Sequence, residues 1–572
     1  MKKILIFVLL LAGLAAAGVY FTRTSSTPTV ADYYAAYLPE NTLATVSLLD
    51  LKGLSESFPS SSLGQFVSKQ SMHAVFTELG APDDALHEYD QVFDGIADVM
   101  TNPAFRQVFG DDAVIAVLAP DVVQLQKEPE KELQKSLMVF GTSSVTGALD
   151  SFAKLVMSQN VSTKTVAGLE VTRIQIDNDN VLYGYADGNV LVLAYDPTRI
   201  ATAVKRRQQG DGLLSSPQFA AVQSFWKTTS RGREYARIFL NSPAFRDLLN
   251  QSNKDEAREF AGMLSGFKAM GSVLFDTNGD LHSEARIDYD QQALNPLVKK
   301  QFHAVSSDNL SLGQLTSGTL AYYWTSILDK AYLQGLFAKA DEPRLPQIQA
   351  KVERQLGVTL DEVMSAFGPQ VGLTLDAIVN TGLFPLPRII AFVQVREKSI
   401  AQKVIDTLRK DITDKGITAE QHEVINGQTV YYWSVLPGEA TQVALVMTDT
   451  MLYVANGKST LARLVDKDAH PDVLPQAMAI LAGKELVQRI KGSNYATYVM
   501  RPDRFATEIK DGADWLADMI SASQGTSVNK LKDALLQLMH ATDMVVATTH
   551  IGKDFTTSSM VFTAAKAKKE KQ

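Results

Sequence analysis

Short apolar runs, either alternating with polar residues or continuous, recur along the chain between Gly, Asn and Asp punctuation. That is the pattern of β-strands closed by turns. Strands are predicted at Thr42–Leu49, Ala113–Leu118, Leu137–Gly141, Val171–Ile176 and Val190–Tyr195. A second set is predicted at Thr319–Thr325, Val371–Leu375, Ile389–Val395, Val430–Val435 and Met451–Asn456. Apolar spacing near 3.6 residues predicts amphipathic helices at Val145–Met157 and Ser399–Ile412. Asp187-Gly188 lies between Tyr183-Gly184-Tyr185 and Val190-Leu191-Val192, and Asn278-Gly279 between Val273-Leu274-Phe275 and Leu281. Each dipeptide supplies the positive φ of a tight hairpin turn. Closing hairpins follow at Ser272–Tyr289 and Met544–Phe562. Hairpins impose antiparallel pairing, so the fold class is α+β, with helices packed on mostly antiparallel sheets.

The two sets of elements are in register. Arg231-Gly232-Arg233-Glu234-Tyr235-Ala236 lies over Lys491-Gly492-Ser493-Asn494-Tyr495-Ala496, and Phe245 then falls on Phe505, an offset of 260. Thr42-Leu43-Ala44 matches Thr319-Leu320-Ala321 at 277, Phe109-Gly110 matches Phe367-Gly368 at 258, and Gly168 matches Gly427 at 259. A long unit repeated once is expected, not a solenoid of short repeats. The drop from 277 to 258 puts about 19 extra residues in the first copy before Phe109. A rise to 274 at the closing hairpin puts about 14 extra residues in the second copy, around Trp515 to Asn529. The expected organisation is an export segment at 1–23, a linker at 24–37, units at 38–290 and 318–565, a connector at 291–317 and a basic tail at 566–572.

Lys2 and Lys3 precede an uninterrupted apolar run from Ile4 to Phe21. A basic start followed by an apolar segment predicts export. Residues 4–21 would span roughly 27 Å as a helix, close to the hydrocarbon thickness of a bilayer. The apolar run continues past the small-residue stretch Ala15-Ala16-Ala17 through Gly18-Val19-Tyr20-Phe21. An uncleaved inner-membrane anchor with the body in the periplasm is therefore expected; the alternative is a soluble periplasmic or secreted protein cleaved near Ala17.

Composition narrows the chemistry. A formal net charge of −8 argues against nucleic acid as a partner. With no cysteine, disulfides, thiol nucleophiles and cysteine-ligated metals are excluded. Lys566, Lys568, Lys569 and Lys571 form the solvated tail.

Each catalytic motif fails against its own repeat. Asn456-Gly457-Lys458-Ser459-Thr460 imitates the end of a phosphate-binding loop, but Leu452 stands where the first glycine belongs, and the other copy reads Tyr195-Asp196-Pro197-Thr198-Arg199. Asp196 and Pro197 read as a helix cap and first-turn proline. Asp276-Thr277-Asn278-Gly279-Asp280 resembles a calcium loop, yet Leu281 and Ile287 replace its required glycine and glutamate, and Lys553 occupies the second copy. Asp177-Asn178-Asp179-Asn180 reads as a polar loop. The eight histidines (His73, His87, His282, His303, His422, His470, His540 and His550) make no metal-ligand spacing. Gly262-Met263-Leu264-Ser265-Gly266 reads as a helix end. Asp83-Asp84, Asp111-Asp112 and Asp361-Glu362 read as helix-start or turn acids, and Tyr33, Tyr34, Tyr37, Tyr431, Tyr432 and Trp433 as core or sheet aromatics. No catalytic, cofactor-binding or metal-binding residue is expected.

The stretch Leu38-Pro39-Glu40-Asn41-Thr42-Leu43-Ala44, the Phe109-Gly110 step into a strand and the Asp187-Gly188 hairpin resemble a family of exported bacterial proteins of unknown function. The resemblance implies an envelope location and a duplicated α+β body over most of residues 38–565, and it brings no catalytic residues. The expectation is a non-catalytic binding or scaffolding protein whose partner is an envelope protein or amphiphile. An envelope hydrolase assembled from distant residues and a lipid-transfer protein are the alternatives. N-terminal sequencing of the protein recovered from membranes should begin at Met1; a start at Gly18 would establish cleavage.

Overall fold

The computed structural model describes residues 32–101, 109, 112–142, 161–176, 180–303, 305, 308–316, 318–340, 345–380, 385–414, 418–434, 438–465 and 485–565. The export segment, the Val145–Met157 helix, the acidic residues 177–179, His470 and the basic tail lie outside them. Among the described residues no helix is long and apolar enough to cross a membrane. The chain divides into two compact units, Met1–Asn295 with Lys553–Thr557, and Pro296–Gly552 with Ser558–Gln572.

The first unit holds β1 (Ala44–Leu49), β2 (Asp112–Val117), β3 (Leu137–Thr142), β4 (Val161–Val166), β5 (Leu169–Gln175), β6 (Val181–Asp187), β7 (Val190–Ala194), β8 (Arg233–Asn241), β9 (Phe267–Thr277) and β10 (Asp280–Tyr289). They pair antiparallel in the order β4-β5-β6-β7-β3-β2-β1-β8-β9-β10. β1 is central, with Val46 opposite Ile115 on one side and Ile238 on the other. Helices Pro197–Gln209 and Pro217–Thr229 follow β7. Phe219 and Trp226 of the second helix pack with Tyr34, Tyr37, Phe140 and Phe239 into the main core. The Trp226 indole N–H donates to Ser272 O at 3.0 Å, so the buried ring keeps its one polar group satisfied.

The second unit holds β11 (Ala321–Thr325), β12 (Phe367–Asn380), β13 (Pro385–Val395), β14 (Glu420–Ile425), β15 (Gln428–Ser434), β16 (Gln442–Met447), β17 (Met451–Ala455), β18 (Ala496–Met500), β19 (Thr542–Ile551) and β20 (Phe555–Ala564). Its order is β14-β15-β16-β17-β13-β12-β11-β18-β19-β20. Tyr322, Trp324, Phe392 and Tyr453 fill its main core. Helix Lys398–Asp414 buries Ala401 and Ile405 against Trp433, Leu445 and Leu452 in a second cluster.

Most predicted elements stand where the pattern placed them, and the differences have local causes. β12 begins at Phe367, ahead of the predicted Val371, because an irregularity between those residues interrupts the apolar alternation without ending the pairing. β4 and β14 were not predicted; they are edge strands with mostly exposed side chains, so they carry no buried face to read. Asp112 is not a turn acid but the first residue of β2, buried, accepting from the Thr142 amide at 3.1 Å and hydroxyl at 2.6 Å. Residues 515–529, where the sequence offsets rise, run through the long helix Pro502–Gln524, which exposes Trp515, Leu516 and Met519.

Gly372 of β12 is required by close approach. A Cβ there would stand 2.1 Å from Tyr323 O and 2.5 Å from the Phe392 ring. Gly372→Ala is expected to cost the second unit at least about 2 kcal/mol in denaturant unfolding.

Candidate binding face and the polar core beside it

In a regular strand, residues i and i+3 point to opposite faces. Glu234 and Arg237 of β8 nevertheless meet, because the register shifts between Glu234 and Ala236 and turns Glu234 onto the face of Arg237. Arg237 donates through Nε to Glu234 Oε2 at 2.7 Å and through Nη2 to Oε1 at 3.1 Å. Its third nitrogen reaches Asp32 Oδ1 at 3.1 Å, and its guanidinium lies 5.1 Å from the Trp226 ring centre. Gln223 Nε2 donates to the other oxygen of Asp32. Arg233 pairs with Asp50 and lies over Tyr235. Asp32, Arg233 and Arg237 are all buried, and burial is tolerable here because each charge has a partner.

The segment Asp32–Leu38 carries that cluster. Its turn Tyr33–Ala36 puts Tyr34 edge-on to Phe219 at 6.2 Å. The Tyr37 hydroxyl donates to Asp187 at 3.0 Å, with Arg207 over its ring. Burial, reinforced by the Asp112 charge, raises the Tyr33 hydroxyl well above the ordinary tyrosine range; burial and Asp187 do the same to Tyr37. Burial pushes Tyr34 up to about 12. These hydroxyls are held protonated, as core groups and not as bases.

At the repeat offsets Asp32, Glu234 and Arg237 become Asn309, Asn494 and Thr497. The second unit fills the same place with neutral groups. Tyr322 Oη bonds Ser311 Oγ at 2.6 Å and accepts from Asn309 Nδ2 at 2.8 Å. Gln370, matching Asp112, accepts from Trp324 Nε1 at 3.0 Å and from the Leu310 amide at 2.9 Å.

The other side of each sheet differs more. In the second unit Tyr498, Tyr323, Leu373, Ala391 and Val454 lie directly opposite one another across β18, β11, β12, β13 and β17. Tyr323 is 41% exposed, Leu373 44% and Val454 41%, with Ile389 exposed beside them. The matching row of the first unit is Ile238, Val46, Ile115, Val139 and Leu193. There Ile115 is 9% exposed and Leu193, clustered with Leu51 and Phe109, 2%, while Ile238 at the end of the row is 38% exposed. An apolar row open at Leu373 and Val454 in one unit and covered at the matching Ile115 and Leu193 in the other is the strongest candidate for a binding surface.

The residues tested from sequence are held in structural contacts. Lys458 pairs with Glu423 at 2.8 Å and lies over Tyr432, while Asn456 ties β17 to β13 by accepting from the Ile389 amide. Asp196 caps its helix by accepting from the Thr198 amide, and Thr359 with Glu362 forms a capping box. Asp83 and Asp84 sit in a helical first turn. Asp276 closes its hairpin by accepting from the Gly279 amide. His73 meets Asp90, His540 meets Asp503, His550 meets Gly492 O and His282 stacks on Phe275; His87 and His422 are exposed. Among the described residues no three His, Asp or Glu side chains gather as a metal site.

Neither the cluster around Arg237 nor the open row was singled out from sequence. A signal for the first was present: three charges in and before a strand, all neutral in the other copy.

Residues 106–495 match the family described as "Protein of unknown function (DUF3352)". The chain belongs to this family. No curated protein matches it. Among solved structures, crystal form III of TP0453 is 9% identical, covering 47% of this chain and 81% of that one at a TM-score of 0.24. Crystal form I is 10% identical, covering 46% and 79% at 0.22. Likeness at that level carries no argument about fold or function.

Tyr34 sheds its proton near its ordinary value of 10 once unfolded, but only near 12 when folded. Stability contributed by the protonated hydroxyl is therefore full below about pH 10 and falls as pH rises toward 12. Compared with Tyr34→Phe, the extra tyrosinate absorbance of the wild-type protein in an alkaline titration should appear together with loss of near-UV circular dichroism; its appearance in a still-folded protein would contradict the burial of Tyr34.

Proposed function

We propose that the chain is a non-catalytic extracytoplasmic binding or scaffolding protein of the bacterial envelope, built from two homologous units. In this reading the second unit docks the apolar side of an envelope protein on the row Tyr323, Leu373, Ala391 and Val454, whose counterparts Ile115 and Leu193 are covered in the first. The inner-membrane anchor at residues 4–21 holds the body in the periplasm. Two observations support homologous units: the sequence offsets, and strand orders that correspond position by position, β4 to β14, β7 to β17, β1 to β11 and so on.

The observation that carries the binding reading is the contrast between the rows, open at Leu373 and Val454 and closed at Ile115 and Leu193. A protein suits the row better than an amphiphile. Acyl chains need a concave site that buries most of their surface, whereas this row crosses one side of a pleated sheet. Aromatic and aliphatic side chains without charge make up the centre of protein interfaces.

A photo-crosslinking residue at position 373 of the full-length protein, expressed in cells, is expected to give one recurrent adduct with an envelope polypeptide. The same residue at position 115 should give none. Adducts with lipid alone would transfer the reading to an amphiphile, and adducts solely within the chain would contradict partner binding.

A further inference from the structure

The segment ahead of β1 is fastened to the first unit differently from the sheet it covers. Its backbone bonds close within the turn, Ala35 N–H to Asp32 O and Tyr37 N–H to Tyr34 O, and a tie to the rest runs from Leu213 N–H to Leu38 O at 2.7 Å. Its side chains make the deeper attachments: Asp32 on Arg237, Tyr34 on Phe219, Tyr37 on Asp187. β1, by contrast, is laddered on both sides, to β2 and to β8, whatever this segment does. Arg237 keeps a two-pronged partner in Glu234 even without Asp32.

We propose that Arg237 is a latch for the segment Asp32–Leu38, which opens as a unit of its own while the sheet beneath stays folded. Asp32 is the hook. Losing the hook leaves no bare buried cation, because Glu234 stays on Arg237, so the cost of opening is the exposure of Tyr34, Tyr37 and Leu38 and not an unpaired charge. The second unit's counterpart, neutral and tied through Tyr322 and Gln370, has no such charge to release.

A latch here sets reach. Residues 22–31 separate the expected anchor from Asp32, and fully extended they span at most about 35 Å. Releasing residues 32–38 would add roughly 23 Å more. That consequence rests on the membrane reading of residues 4–21; the latch does not.

Hydrogen exchange read by mass spectrometry on the full-length protein tests it with Asp32→Asn, which keeps Glu234 on Arg237. Peptides covering 33–38 should exchange about tenfold faster or more, while β2, β8 and β9 keep their wild-type rates. Arg237→Met should loosen the same segment; if it fails to fold, Asp32→Asn decides alone. Unchanged exchange at 33–38 would overturn the latch, and so would joint loosening of that segment with β8 and β9, which would make Asp32 an ordinary part of the core.

Discussion

The strand that opens each unit is hydrogen-bonded on both sides by strands distant in sequence. β1 takes Ile115 on one side and Ile238 on the other; β11 takes Leu373 and Tyr498. A central strand with two non-local partners cannot shift by one residue without turning every side chain to the wrong face. That constraint fixes which residues of β1 and β8 look toward the aromatic core and which form the opposite row. It also fixes where the incoming segment must lie. The ionic cluster, the buried tyrosines and the open row are consequences of that one register.

On that shared frame the units differ where polar groups meet the core. The first places a guanidinium between two carboxylates and stacks it on Trp226. The second uses amides and hydroxyls around Tyr322 and Gln370. Removing one member has unequal effects in the two. A missing carboxylate leaves a charge to be neutralised by what remains, whereas a missing amide leaves a hydrogen bond unmade.

The strands were legible where an apolar run sits between turn residues, although β8, β16 and β18, which also bury side chains, were not predicted. Ala113 to Val117 and Val190 to Ala194 are nearly continuous apolar runs and lie buried in the structure. Turns were legible through chemistry: Asn278 and Gly279 both adopt positive φ, as do Gly168, Gly188 and Gly427. Edge strands β4 and β14 were not, since exposed positions accept almost any residue. The Glu234–Arg237 contact was hidden by a bulge that changes side-chain parity, which no periodic pattern encodes. The open row was hidden for a different reason: Leu373 and Ile115 are equally apolar, and only packing distinguishes a covered leucine-like side chain from an uncovered one.

The chain contains no cysteine, so a thiol placed at any position reports on that position alone. Four single-cysteine proteins, at 373, 454, 115 and 193, can be labelled under native conditions and their rates compared with those of the unfolded chain. A row open at Leu373 and Val454 and covered at Ile115 and Leu193 requires fast labelling at 373 and 454 and strong protection at 115 and 193. Equal rates at the paired positions, 373 with 115 and 454 with 193, would contradict it.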